Sequence, residues 1–192
     1  MLTSRKTLWV AALLVVALAP LGLAQDENDE KSKKEEHFFA NIGGGGAREL
    51  QMVVTRWSTQ SERARLIGIL AEEGQEAMMK VLEKQEKTGW VRIRGGRYPS
   101  TELRYAYQSE TKEGGRHIVL LTNRRVSLSE ARNQGQSLDF DLTMVELMIG
   151  DNGKGSGAVA AGTQVEIDKE TNRLKITAFQ TTPTKLVNVY TK

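Results

Sequence analysis

From Gly89 to the C-terminus, short runs of alternating apolar and polar residues are separated by turn signals. This pattern constrains the fold more than any other feature. Strand side chains point alternately to two faces, so a period of two marks strands with one buried face. "WVRIRG", "ELRYAYQS", "HIVLLTN", "LDFDLTMVELMIG", "SGAVAAGTQVEID", "RLKITAF" and "KLVNVY" fit it, and "KEGGRH", "DNGKG" and "KETN" read as turns between them. "DNGKG" is the strongest hairpin signal of the three. In "ELRYAYQS" the alternation puts Leu103, Tyr105 and Tyr107 on one face, with Glu102, Arg104 and Gln108 on the other. In the "LDFDLTMVELMIG" run, Leu138, Phe140, Leu142 and Met144 share one phase, whereas Leu147 and Ile149 take the other. That switch predicts a bulge or burial on both faces. "SLSEARNQ" reads as a single helical turn or an ordered loop.

Upstream, Leu50, Met52 and Val54 alternate within a strand near Arg48–Trp57. Thr59 and Glu62 then have capping-box spacing, and Gly74 suits a helix C-cap. Ala64, Ile67, Leu70 and Ala71 fall on one face of the first helix; Ala77, Met78, Val81 and Leu82 fall on one face of a second. The methionines read as core filling rather than a binding groove. The expected fold class is α+β: a strand, a short helix pair, then a mostly antiparallel sheet of about seven strands, curled or barrel-like. Helix-grip folds begin in this order but close with a C-terminal helix, whereas this chain ends in a strand-like run.

"MLTSRKTLWVAALLVVALAPLGLAQ" has a short basic start, an uncharged apolar run and small residues before Gln25. That is the layout of a secretory signal peptide over residues 1–24, cut between Ala24 and Gln25. The apolar run is shorter than the ~20 residues of a membrane span. Arg5 and Lys6 belong to this segment, so the formal net charge of +3 drops by two without it. A near-neutral remainder gives no reason to expect nucleic-acid binding. Residues 25–37, "QDENDEKSKKEEH", carry no apolar side chain and read as a charged, disordered spacer before a single domain over residues 38–192. The expected location is periplasmic or secreted, with membrane contact only through the transient signal segment.

Gly43 to Gly46 stand in a row ahead of the first predicted strand. A Walker loop needs Gly-Lys-Ser/Thr opening a helix, and a dinucleotide fingerprint needs its glycines after a strand and before a helix. Neither order is present, so the run reads as a flexible joint or a close backbone crossing. With no cysteine and two histidines, the chain has no thiol nucleophile, no disulfide and no histidine metal spacing. His37, placed in the spacer, and His117, at a strand start, read as surface or structural residues. A Ser/His/Asp set assembled in space around His117 stays open. Ser156 lies between Gly155 and Gly157 just past a hairpin turn, not on a nucleophile elbow. Asp139 and Asp141 share one strand face and read as its solvated side; Asp151-Asn152-Gly153 reads as a turn rather than a calcium loop. No catalytic residue, metal ligand or cofactor is assigned.

The candidate site is cationic. Arg92 and Arg94 share a face with Trp90, and Arg104 lies on the next predicted strand, with Arg97 in the connection. If the two strands pair, the guanidiniums converge on a place suited to carboxylate or phosphate. The competing reading is a solvated face whose arginine stems cover aromatic rings.

"IGGGGARELQMVVTRWSTQSERARLIGIL", "LTNRRVSLSEARN", "VELMIGDNGKGSG" and "KLVNV" together resemble a set of uncharacterised exported bacterial proteins. In these a glycine-rich lead-in, an Arg-Trp-Ser/Thr helix start and a Gly-x-Gly turn recur in this order. The resemblance implies export and a shared compact domain, and it transfers no activity or site. The function expected is a non-catalytic binding module for a small anionic or amphipathic ligand. The alternatives are a structural envelope protein acting through protein partners, and a hydrolase-like enzyme with a scattered site.

Overall fold

The computed structural model describes residues 35–43, 48–96, 99–126, 141–168, 173–179 and 182–192. The stretches read as signal segment and as most of the spacer (residues 1–34), "SLSEARNQ", Leu138, Asp139, Phe140, "KETN" and Arg97 lie outside them. In chain order the elements are β1 (Glu36–Ile42), β2 (Glu49–Val54), α1 (Gln60–Glu73), α2 (Gln75–Lys84), β3 (Gly89–Ile93), β4 (Thr101–Leu103), β5 (Tyr105–Glu110), β6 (Arg116–Thr122), β7 (Thr143–Ile149), β8 (Lys154–Ala161), β9 (Thr163–Asp168), β10 (Arg173–Phe179) and β11 (Thr184–Thr191). The α+β class stands. Nine strands form one antiparallel sheet in the order β4-β3-β2-β1-β11-β8-β7-β6-β5, and β9 and β10 pair separately.

The sheet curls until its edges meet. Its two edge strands, β4 and β5, are consecutive in the chain, with only Arg104 between them. Leu103 O accepts from Thr88 N at 2.9 Å, and Arg104 N donates to Leu121 O at 3.0 Å. Ser58, just before α1, donates its N–H to Ala106 O at 2.7 Å and accepts from Ala106 N through its hydroxyl at 3.2 Å. The result is a nearly closed barrel. "ELRYAYQS" is therefore two strands rather than one. The bend at Arg104 shifts the alternation, so Leu103 packs into the barrel interior while Tyr105 packs outside with the helices.

Two further expectations change. β1 begins at Glu36, inside the stretch read as spacer, and lies between β2 and β11. Asn41 pairs with Glu49, and Ile42 N donates to Arg48 O at 2.9 Å. The glycine run thus falls within a hairpin connection rather than ahead of the first strand. "SGAVAAGTQVEID" divides at Gly162, whose φ of +63° suits glycine. There the chain leaves the barrel as β8 and becomes β9, which packs against the helices.

Burial separates two layers. Inside the barrel lie Phe38, Leu50, Met52, Val91, Ile118, Leu120, Leu147 and their neighbours. Outside β5–β7, Leu66, Leu70, Met78 and Leu82 of the helix pair meet Tyr105, Val119, Leu121 and Met144, with Val165 of β9. β6 and β7 are thus buried on both faces, and their ladder runs without a register shift. That explains the phase switch in the sequence without a bulge. The capping box is present: Glu62 N donates to Thr59 Oγ1, and Thr59 N donates to Glu62 Oε2 at 2.8 Å. Arg56 grips the same carboxylate through two bonds of 2.9 Å. Burial alone would raise the Glu62 pKa, but the bonds from Arg56 and Thr59 more than offset it, so it lies below the ordinary value. Of the expected face, Leu70 is buried and Ile67 half-buried, whereas Ala64 and Ala71 are exposed; Leu66, outside that set, is the other buried residue of α1, since a leucine removes far more apolar surface from water than an alanine.

Across the β7–β8 ladder, Leu147 faces Gly157 and Ile149 faces Gly155. The small positions leave interior space for the large ones, as small barrels require. A Cβ on Gly157 would lie 2.3 Å from Glu146 O and 2.8 Å from a Leu147 methyl. Gly157→Ala is expected to cost roughly 1–3 kcal/mol in denaturant unfolding. Gly68→Ala in α1, where an added Cβ meets nothing within 4 Å, is expected to stabilise by roughly 0.5–1 kcal/mol. Leu66→Ala is expected to cost about 2–5 kcal/mol, with Ala64→Ser near neutral in the same assay.

Candidate functional site

The two ends of the barrel differ in chemistry. At the end where β1 starts and β2 stops, the inward-facing Glu36 accepts from Trp57 Nε1 at 3.1 Å and from Arg116 Nη1 at 2.7 Å. Arg116 also lies over the Phe38 ring at 5.7 Å. This aromatic and ionic plug fills that end.

At the other end, where β3 and β6 stop, a cavity of about 500 Å³ opens. Val91, Ile93 and Val126 give it an apolar wall, and Arg92, Arg124, Arg125 and Glu102 line it with charge. An adjoining hollow of about 280 Å³ shares Arg92 and adds Arg94. Among the described residues, neither Arg92 nor Arg124 has a carboxylate within ion-pair distance, whereas Arg125 meets Asp141 at 3.6 Å. Glu102 is held by Lys87 at 3.2 Å and by Arg104 at 2.7 Å. Its pKa is lowered, first by the hydrogen bond from Lys87.

Trp90, Arg92 and Arg94 do share the outer face of β3, with the Arg92 guanidinium 5.0 Å from the centre of the Trp90 ring. Arg92 Nε donates to Gln51 at 3.0 Å, and Arg94 donates to Glu49 at 3.0 Å. Glu49 also accepts from the Tyr190 hydroxyl at 3.0 Å. Its pKa is held down by the Arg94 bond against the opposing effect of burial. Arg104 is not brought to this group. The directly paired Trp90 and Glu102 stand between, and its Nη1 donates to Gln85 O at 2.9 Å, tying the β4–β5 bend to the end of α2. Arg124 and Arg125 were missed in the sequence. Their only signal is an Arg-Arg pair just after the "HIVLLT" run, and it gains meaning once closure brings β6 beside β4.

A second, smaller cleft lies outside the barrel, between α1, the outer faces of β5 and β6, and the start of β10. Its volume is about 210 Å³. Tyr105 and Tyr107 stack at 6.2 Å and 21°, and Arg63 sits 4.9 Å over the Tyr107 ring. Burial pushes the Tyr105 hydroxyl pKa well above the ordinary value. His117 is 6% exposed, and its Nε2 lies 2.6 Å from Glu146 Oε1. Ser109 is its partner across the β5–β6 ladder, yet no hydrogen bond joins His117 to a hydroxyl among the described residues. The arrangement is an acid–imidazole pair between strands β6 and β7. Among the described residues no group of three or more His, Asp or Glu side chains could hold a metal ion, and no helix is long and apolar enough to cross a membrane.

No protein-family model, curated protein or solved structure matches the chain.

The Glu146 pKa lies below its ordinary value of 4.5, chiefly through the His117 hydrogen bond, with burial opposing and the charges of His117 and Arg173 assisting. A carboxyl that binds its proton less readily when folded stabilises the fold fully above its unfolded value. That contribution is lost as pH falls through the folded value. The denaturation midpoint should therefore fall as pH drops below about 4.5, and Glu146→Gln should make that fall shallower.

Proposed function

We propose that this chain is an exported, non-catalytic binding module that holds a small anionic ligand at the open end of its barrel. One observation carries the reading: Arg92 and Arg124 flank a ligand-sized cavity with an apolar wall, and neither is in ion-pair contact with a carboxylate of the described residues, although the charge of Arg124 acts on Glu102. Pockets for small molecules typically span about 300–1,000 Å³ and combine apolar lining with a few placed polar groups. Guanidinium forks suit carboxylate and phosphate oxygens. The signal-like N-terminal sequence supports export. A role through a broad apolar contact has less support, since Met148 and Val187 are the exposed large apolar side chains among the described residues.

Isothermal titration with inorganic phosphate and with succinate tests this. At least one probe is expected to bind, more weakly as salt rises. Arg92→Ala and Arg124→Ala should each lower affinity about tenfold or more, as loss of a charge-assisted bond implies. Arg104→Ala should leave affinity unchanged but lower the melting temperature, because it releases Glu102 and Gln85. Equal binding by wild type and both mouth variants would overturn the assignment.

A further inference from the structure

We propose that the cleft between α1, β5–β6 and β10 binds a small uncharged aromatic molecule carrying one hydrogen-bonding group, the chemistry of benzyl alcohol. The cleft is separate from the barrel mouth and shares none of its lining residues.

An unpaired hydroxyl is the first sign of a ligand. Tyr105 is 2% exposed, and among the described residues no hydrogen bond reaches its hydroxyl. A buried tyrosine hydroxyl ordinarily finds a partner, because leaving it unmatched forfeits its hydration. The neighbouring Tyr107 hydroxyl is already engaged, accepting from Gln60 Nε2 at 3.1 Å. The sealed, unpaired polar side-chain atoms among the described residues belong to Arg56, Gln85, Thr88 and Arg104. The Tyr105 hydroxyl is therefore not closed off, and it opens into the cleft that its residue lines. Burial pushes its pKa far up, so it keeps its proton and stands as a donor. Ser109 adds a second hydroxyl to the lining.

Size and walls select the ring. An apolar cavity of about 150 Å³ holds benzene, so a cleft of about 210 Å³ fits one ring with one small substituent. Ile67 from α1, Val119 from β6 and Leu174 from β10 are apolar, and the stacked Tyr105 and Tyr107 rings form a flat flank. A planar ring fills such a space with offset or edge contacts that add to simple burial. Charge selects against an ion. Arg63 lies over the Tyr107 ring and has a further partner, and Arg173 faces Glu146, which His117 holds at 2.6 Å. A carboxylate or ammonium entering the cleft would shed its water without a free counter-ion.

The histidines provide a direct readout. The chain has two, His37 in β1 and His117 in the cleft, so their ring signals in a nitrogen-15 correlation spectrum separate the site from the rest of the barrel. Benzyl alcohol is the probe, and it is expected to shift the His117 ring signals saturably while His37 stays unmoved. Benzoate, which adds a charge, and 1-propanol, which lacks the ring, should each bind at least tenfold more weakly. Toluene, which lacks the hydroxyl, should bind about threefold to tenfold more weakly. Tyr105→Phe keeps the ring and removes the donor, so it should bring benzyl alcohol down to the affinity of toluene and leave toluene unchanged. Ile67→Trp, which fills the cleft from the helix side, should abolish both, and phosphate or succinate titration of the same variant shows whether the barrel mouth is intact. Arg124→Ala should leave benzyl alcohol binding unchanged. No saturable shift of His117, or unaltered affinity in both cleft variants, would overturn the proposal. Benzoate binding as tightly as benzyl alcohol would overturn the uncharged class, and loss of benzyl alcohol binding in Arg124→Ala alone would move the ligand to the barrel mouth and overturn the site.

Discussion

Backbone hydrogen bonding on either side of Arg104 is what turns a nine-stranded sheet into a barrel. Leu103 bonds toward Thr88 at the start of β3, and Arg104 bonds toward Leu121 in β6. A single run of chain therefore supplies both edge strands of the sheet. The side chain of Arg104 reinforces its own backbone by binding Glu102 and the Gln85 carbonyl. Ser58 covers the remaining gap beside Ala106 and leads directly into the capped helix. The interior core, the outer helix layer and both cavities all depend on this closure.

The elements whose signals are local were legible. Thr59, Glu62 and Gly74 marked the helix pair, and "DNGKG" marked a hairpin, because capping and turn chemistry act over a few residues. The features that depend on distant partners were not. Nothing within "ELRYAYQS" shows that its two halves pair with different strands. The polar start of β1, Glu36 and His37, looked like spacer because its ordering comes from β2 and β11 on either side. Leu66 was passed over because helical spacing alone does not say which face a sheet will cover.

The same division holds for the sites. The alternation of Trp90, Arg92 and Arg94 was readable, and they share a face. Their neighbours were not: Glu49, Gln51 and Glu102 come from strands placed beside β3 by the fold, and they occupy much of the arginine chemistry. Arg124 and Arg125 join Arg92 only because β6 and β4 meet where the barrel closes. The cleft around His117 depends on a helix, a ladder and a hairpin from three distant parts of the chain.

The position of β11 has a consequence for how the molecule is made. Among the described strands β11 lies between β1 and β8, so the two strands furthest apart in the chain, β1 and β11, are neighbours in the middle of the sheet. Pairings this distant in sequence form slowly. Until β11 docks, β1 and β8 border a one-strand gap with two unsatisfied rows of backbone groups facing each other. Loss of β11 would split the wall through its centre rather than trim a border, and the exposed gap would invite the equivalent strand of another copy.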